Sequence, residues 1–335
     1  MLNKIRYSIK KFQLNLNNQV VLTEAATGDY SCTAIIADLA GAKRVYALAK
    51  ESKYGTYKDI EDTYKEYFKS NSKSSIKIIK SLEEIEEKVD IVTNSGFVRP
   101  LNKTLLPYLH YKSVITLMYE PWEFRDSDID LDTFYSAGIK VYGTNEHDSK
   151  LLTMDYIGIT ALYLLLDLKV SYFSPFKILV LGTKEFTEPI ERILTVNNYD
   201  VKTVNDYSNS FDKYDEYDIF IIAEHKDKRY VIGSNDAFIN KDRLKKEQKV
   251  IHICGNVDLD GVKSFYIPKN PAPFGYMSYR TDFVDNMAVI DLQTGSLKVA
   301  EGMIEANRLG LVDKEYKDFL EKNYNALSFN NKRYW

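Results

Sequence analysis

Cysteine is scarce in this chain. Only Cys32 and Cys254 occur among 335 residues. Two cysteines so far apart make no disulfide framework, and a reducing compartment suits them. Long basic runs are missing too: 45 Lys and Arg stand against 48 Asp and Glu, for a formal charge of −3. A nucleic-acid binder gathers its basic side chains on one face, so nucleic acid is not an expected partner. No apolar run reaches the roughly 20 residues that cross a bilayer. The longest, Tyr156 to Leu166, reads as a buried helix, and no membrane partner is expected. The N-terminus, M-L-N-K-I-R-Y-S-I-K-K, is basic but has no following apolar stretch and no small-residue cleavage site. It is therefore not a signal peptide, and the cytoplasm is the expected location. Internal repeats and low-complexity segments are absent. There are four histidines, and none falls in an H-E-x-x-H or His-x-His spacing. With no C-x-x-C either, no metal site is expected.

What is present is a globular composition, 44% hydrophobic and 28% charged, in a chain long enough for two domains. Short Val- and Ile-rich runs alternate with helical or turn segments. Gln19 to Leu22 enters T-E-A-A-T-G-D-Y, and a helix from Ser31 to Leu39 ends at Gly41. Strands are expected over 44–49, 75–79, 89–93, 113–118 and 139–142, with a surface helix over 57–68. A long apolar helix, Leu151 to Leu168, then leads through Ser174-Pro175 into K-I-L-V-L-G, residues 177–182. A helix at about 188–196 and strands over 200–204, 217–223, 250–253 and 264–267 follow, and Leu297 to Leu309 is again helical.

Strands alternating with helices argue parallel sheets with helices on both faces. The expected fold class is α/β, two doubly wound parallel-sheet domains of Rossmann or flavodoxin type flanking a cleft. Residues 1–150 form a substrate-type domain completed by about 300–335, and 151–299 form a dinucleotide-binding-like domain. The aromatic end, Lys332 to Trp335, is expected to dock within a homodimer.

Four segments of the second half carry a resemblance. V-Y-G-T-N-E-H precedes the long helix, and K-I-L-V-L-G follows it. D-I-F-I-I-A-E-H is followed by Y-V-I-G-S-N-D-A-F-I, a loop and helix in the likeness, and then comes K-V-I-H-I-C-G-N-V-D. In order and spacing, about residues 139 to 280 resemble the D-2-hydroxyacid dehydrogenase family, the formate and glycerate dehydrogenase type. The resemblance implies a nicotinamide dinucleotide, NAD or NADP, on the second domain. Gly182, Thr183, Lys184, Asp206, Glu224 and Asn256 would lie around it. Asp206, at the end of the second strand, suits a ribose and favours NAD.

The chain departs from the family where chemistry is concentrated. The G-x-G-x-x-G positions read Gly182, Lys184 and Thr187, with Glu185 and Glu188 where a diphosphate would sit. Cys254-Gly255-Asn256 stands where the family has an arginine, and Pro271 to Tyr276 holds no histidine.

Ligands of open parallel sheets bind beyond the carboxyl ends of the strands. In the first half these ends carry Thr23, Glu24, Thr27, Gly28, Ser52, Lys53, Tyr54, Asn94, Ser95, Gly96, Glu120, Trp122 and His147. Thr27-Gly28 before a helix suits a small anion, which Ser52, Lys53 and Tyr54 would clamp. Ser95, Gly96 and Glu120 complete the expected substrate site. His225, His252 and His147 at strand ends are the candidates for proton transfer, with Arg280 or Lys53 holding a substrate's negative charge. Cys254 is a weaker candidate nucleophile.

Two functions follow. One is an oxidoreductase-like enzyme acting on a small acidic or hydroxylated substrate with a nicotinamide dinucleotide. The other is the same fold without a working dinucleotide site, acting as a non-redox biosynthetic enzyme or a small-ligand-binding protein.

Overall fold

The first apolar run, V-V-L-T-E, is buried at every position. Both faces of its strand must therefore be covered, as in the middle of a parallel sheet. A computed structural model describes residues 1–151, 153–207, 213–234 and 236–329, apart from the side chain of Trp122. The chain divides into two compact units, Met1–Leu151 with Asn286–Trp335, and Leu152–Asp285. The return to the first unit thus comes at Asn286, ahead of the last long helix, and not near residue 300.

In chain order the first unit begins α1 (Leu2–Phe12), β1 (Val20–Glu24), α2 (Cys32–Leu39), β2 (Arg44–Leu48), α3 (Tyr57–Ser70), β3 (Ile76–Ile79), β4 (Val89–Thr93), β5 (Leu109–Thr116), α4 (Leu131–Ser136) and β6 (Lys140–Thr144). The second unit holds α5 (Thr153–Asp167), β7 (Lys177–Gly182), α6 (Lys184–Val196), β8 (Asp200–Val204), β9 (Ile219–Ala223), β10 (Tyr230–Gly233), β11 (Ile239–Asn240), β12 (Lys249–Cys254), β13 (Asn256–Val257) and β14 (Phe265–Ile267). The chain closes with α7 (Met287–Arg308), α8 (Asp313–Asn323) and β15 (Ala326–Ser328).

The first sheet has the order β15-β6-β5-β4-β1-β2-β3, parallel throughout except for β15 on β6. Residues of β1 alternate between two cores. Val21 joins Ile5 of α1, Ile36 of α2, Tyr64 of α3 and Val299 of α7, while Val20 and Leu22 join Leu105, Phe134 and Val141 on the other face. Helix α2 is buried at six consecutive positions, Cys32 to Ala37, because α1 and α7 both pack on it. Asp291 of α7 accepts from Ser8 (2.5 Å) and Lys11 (2.7 Å) of α1, which fixes that packing.

The second unit has a five-stranded parallel sheet, β14-β12-β9-β7-β8, and a three-stranded parallel one, β11-β10-β13. One face of the large sheet is covered by α5 and α6. The other is covered by the small sheet and turns: Val231, Ile232 and Ile239 pack on Leu179, Leu181, Phe220 and Ile222. The helix expected within 230–239 is thus replaced by β10 and β11. Their short apolar runs, Y-V-I-G and I-N, are buried against the large sheet, which a surface helix would not achieve.

Helices α5 and α6 touch at a glycine. A Cβ on Gly158 would lie 2.4 Å from the backbone oxygen of Pro189. Among the described residues no helix is long and apolar enough to cross a membrane.

Candidate functional site

An open parallel sheet has a crevice at the carboxyl end of its strands where chain order reverses. In the first unit this switch point lies between β1 and β4, and in the second between β7 and β9. Each of these places holds a buried glutamate of the chain itself.

In the second unit Gly182 ends β7, and only Thr183 separates it from α6. No glycine-rich loop intervenes, in keeping with Lys184 and Thr187 at the motif positions. A Cβ on Gly182 would meet the Ala223 backbone oxygen at 2.0 Å, so close strand approach requires the glycine. Thr183 does not cap α6; its hydroxyl donates to Glu224 Oε1. The same oxygen accepts the backbone N–H groups of Lys226 (2.7 Å) and Asp227 (2.8 Å). Glu224 is 3% exposed. Charge-assisted bonds of this kind contribute about 1.5–3 kcal/mol each, so the side chain is firmly held.

The neighbours seal the turn. Asn205 Nδ2 donates to the Gly182 oxygen (2.8 Å) and to Thr187 Oγ1 (2.5 Å). Glu185, in the first turn of α6, is paired with Lys226. Burial pushes the Glu185 carboxyl up, but Lys226 and its own backbone N–H more than offset this and hold it below the usual range. Lys184 is paired with Glu188 (3.2 Å). The His225 ring stacks on Phe186 with centroids 4.3 Å apart. Burial first, and then the Lys226 charge, lower its pKa below that of an ordinary imidazole. Asp206 is exposed at the end of β8, and its charge acts on Arg229.

The start of α6 carries negative charge where the resemblance would place a dinucleotide diphosphate. Such a diphosphate would sit beside Glu224 and Glu185. A carboxylate and a phosphate charge about 4 Å apart repel by roughly 4 kcal/mol at an effective dielectric of 20.

In the first unit Glu24 ends β1 and is 7% exposed. Its Oε2 accepts the Phe97 N–H of the loop after β4 (3.1 Å). Burial raises its pKa, against the opposing pull of that N–H and of Arg99. Arg99 itself is paired with Asp128 (2.8 Å).

The expected substrate residues are engaged in the same way. Thr27 Oγ1 donates to the Tyr54 oxygen (3.0 Å), and Gly28 opens a short 3₁₀ turn rather than α2 itself. Ser52 and Gly55 pair across a tight turn, Tyr54 N–H donates to Ser52 Oγ (3.1 Å), and the Lys53 ammonium lies over the Tyr54 ring (5.0 Å). Ser95 belongs to a buried hydroxyl cluster with Thr23 and Thr93. A Cβ on Gly96 would lie 3.2 Å from Glu24 Oε2. Glu120 accepts the Glu146 N–H (2.9 Å). Burial, and then the charge of Glu123, push Glu146 well above the carboxylate range. A ligand carboxylate here would lie near Glu24 and Glu120, whose oxygens accept the Phe97 and Glu146 N–H groups.

The proton-transfer candidates separate. His252 is wholly buried with both ring nitrogens engaged, Nδ1 to Ser278 Oγ (2.7 Å) and Nε2 to the Gly255 oxygen (3.0 Å). A carbonyl only accepts, so Nε2 carries the proton and Nδ1 accepts from Ser278. Burial holds the pKa of His252 below the ordinary imidazole value. It is a positioning residue, because neither nitrogen is left for a substrate. Arg280 is bidentate to Asp282 (3.0 and 2.6 Å), so its charge is already matched. His147 is exposed on the first unit, its backbone N–H on Asn145 Oδ1 (3.1 Å). Asn256 Nδ2 donates to the Lys228 oxygen (2.5 Å). Cys254 is buried, which pushes its thiol far up and away from nucleophile chemistry. Only the backbone of Trp122, in the turn Pro121–Glu123, is described. Lys332 to Trp335 lie outside the described residues.

Open space lies elsewhere on the second unit. A groove of about 510 Å³ opens beyond the carboxyl ends of β12 and β14, with Tyr230, Asn256, Asp258, Tyr266 and Lys269 among its walls. Sequence reading missed Asn205 and this groove, and it did not foresee that Glu24 and Glu224 fill the switch points. The signal for the glutamates was an acid closing a fully apolar strand, V-V-L-T-E and I-F-I-I-A-E.

No family model matches the chain, and no curated protein does. Solved structures do. A dipicolinate synthase chain from Bacillus subtilis is 12% identical with a TM-score of 0.56, over 88% of this chain and 99% of that one. The dipicolinate synthase structure from Bacillus halodurans is 10% identical with a TM-score of 0.51, over 88% and 98%. A D-lactate dehydrogenase with NAD+ from Lactobacillus jensenii is 12% identical with a TM-score of 0.49, over 88% and 99%.

The likeness is one of fold. It is the α/β fold of parallel sheets expected from the order of the segments, shared with the two dipicolinate synthase structures.

Proposed function

We propose that this chain handles a small polar molecule on a dehydrogenase-type fold without a dinucleotide at the switch point of its second sheet. It then works as a non-redox enzyme or a small-ligand-binding protein. One observation carries the reading: Glu224 occupies the crevice beside the start of α6 and takes the N–H groups of Lys226 and Asp227 and the Thr183 hydroxyl. The one-residue turn at Thr183 supports it, since a loop that wraps a diphosphate needs more backbone than that.

An oxidoreductase using NAD is the second reading. It is favoured by Asp206, exposed at the end of β8 where a ribose-binding carboxylate belongs. Thermal unfolding with NAD, NADH, NADP and NADPH, each at millimolar level, separates the two. A ligand at one hundred times its Kd stabilises the folded state by about 2.7 kcal/mol, a shift of several degrees. The leading reading expects an unchanged midpoint with all four. A dose-dependent rise with any of them replaces it with the second.

A further inference from the structure

We infer that the groove beyond β12 and β14 binds a monosaccharide-sized polyol bearing one negatively charged group. The inference rests on the reading above in one respect, that the ligand lies away from the switch point between β7 and β9. Its volume, about 510 Å³, falls within the span of small-molecule sites, roughly 300–1,000 Å³.

The walls select the chemistry. Tyr230 is 52% exposed at the start of β10, and Tyr266 stands on β14, so the groove offers two tyrosines. Tyrosine rings take the C–H faces of a sugar, and their hydroxyls take its oxygens. With them stand short polar side chains, Asn256, Asp258, Asp260 and Asn270, the acceptors and donors that vicinal hydroxyls require. Such walls disfavour a lipid or an extended aromatic ligand.

The charges are separated: Asp258 and Asp260 both stand by Lys241, and Lys269 stands apart. Asp258 is neutralised by Lys241 (2.6 Å), which also reaches the backbone oxygen of Asp260 (3.0 Å). Lys269 has no carboxylate partner among the described residues; its ammonium lies over the rings of Phe265 (5.5 Å) and Tyr266 (5.6 Å). A cation kept beside an aromatic wall and left without an anion is where the acidic group of the ligand goes.

One wall is held in place from behind. Ala272 N–H donates to Ser278 Oγ (2.9 Å), and the Ser278 hydroxyl donates to the buried His252. Pro271 and Pro273 flank that point and restrict the backbone further. A preformed wall lowers the ordering cost of binding. It also gives the interior His252 a role: it positions the groove.

Isothermal titration of the full chain with glucose 6-phosphate, glucuronate, glucose and inorganic phosphate tests this. Glucose 6-phosphate or glucuronate binds and saturates, and glucose binds about tenfold more weakly. Inorganic phosphate gives no saturable heat. Lys269→Gln weakens the charged sugar about tenfold and leaves glucose unchanged, and Tyr230→Ala weakens both, with unfolding midpoints at the wild-type value. No saturable heat with any sugar overturns the inference, as does binding that neither substitution alters. A dinucleotide titration scored alongside tells the two failures apart: dinucleotide binding with sugar binding retained overturns only the earlier reading.

Discussion

At the scale of single residues, the interior of this protein is tuned by titratable groups that have exchanged water for backbone. His252 and Glu146 pull the pH dependence of stability in opposite directions. The folded state holds His252 below the ordinary imidazole pKa, so the unfolded chain binds the proton more readily. Stability from this group is complete above the unfolded value, about 6.5, and is lost as pH falls below it. Glu146 is held well above the carboxylate range, so the folded chain keeps its proton longer. That contribution is complete below about pH 4.3 and is lost as pH rises. Urea unfolding across pH 5 to 8 checks both. His252→Gln is expected to flatten the acid side, at an overall cost of about 2–3 kcal/mol for the bonds it breaks. Glu146→Gln is expected to gain about 1 kcal/mol at the alkaline end. A wild-type curve indifferent to both substitutions would remove the assigned roles.

At the scale of elements, strand positions were legible and their junctions were not. V-D-I-V-T and K-I-L-V-L-G announce β4 and β7 because buried parallel strands need continuous apolar runs. The polar helix α1 gave no such signal; its covering role depends on Asp291, some 280 residues away. Gly182 suggested a phosphate loop in sequence, but its reason is the backbone of Ala223, 2.0 Å from where a Cβ would stand. Glycine alone does not say what approaches it. Gly182→Ala is therefore expected to destabilise by more than about 3 kcal/mol, and Gly158→Ala, at the contact of α5 and α6, by about 2 kcal/mol. Denaturant midpoints measure both. If Gly182→Ala were neutral, the strand-to-helix turn would have to be laid out differently.

At the scale of the whole molecule, the order of segments predicts the fold, and the fold by itself does not predict the ligand. Order and spacing sufficed for two parallel sheets because apolar periodicity is a property of the local chain. The site was harder to read, because its partners are distant in sequence: Thr183 with Glu224, Glu24 with Phe97, His252 with Ser278. At the switch points of both units, strand-end side chains are bonded to main-chain N–H groups. Both switch points repeat one solution, a buried glutamate bonded to main-chain N–H groups. Such a residue stabilises the fold by satisfying main-chain donors at the strand ends. NADH fluorescence, titrated with the protein to about millimolar concentration, tests that claim most directly. We expect the emission of NADH to keep its free-solution wavelength and intensity throughout. A saturable blue shift or enhancement would contradict the account, because the cofactor would then have found room that Glu224 is held to occupy.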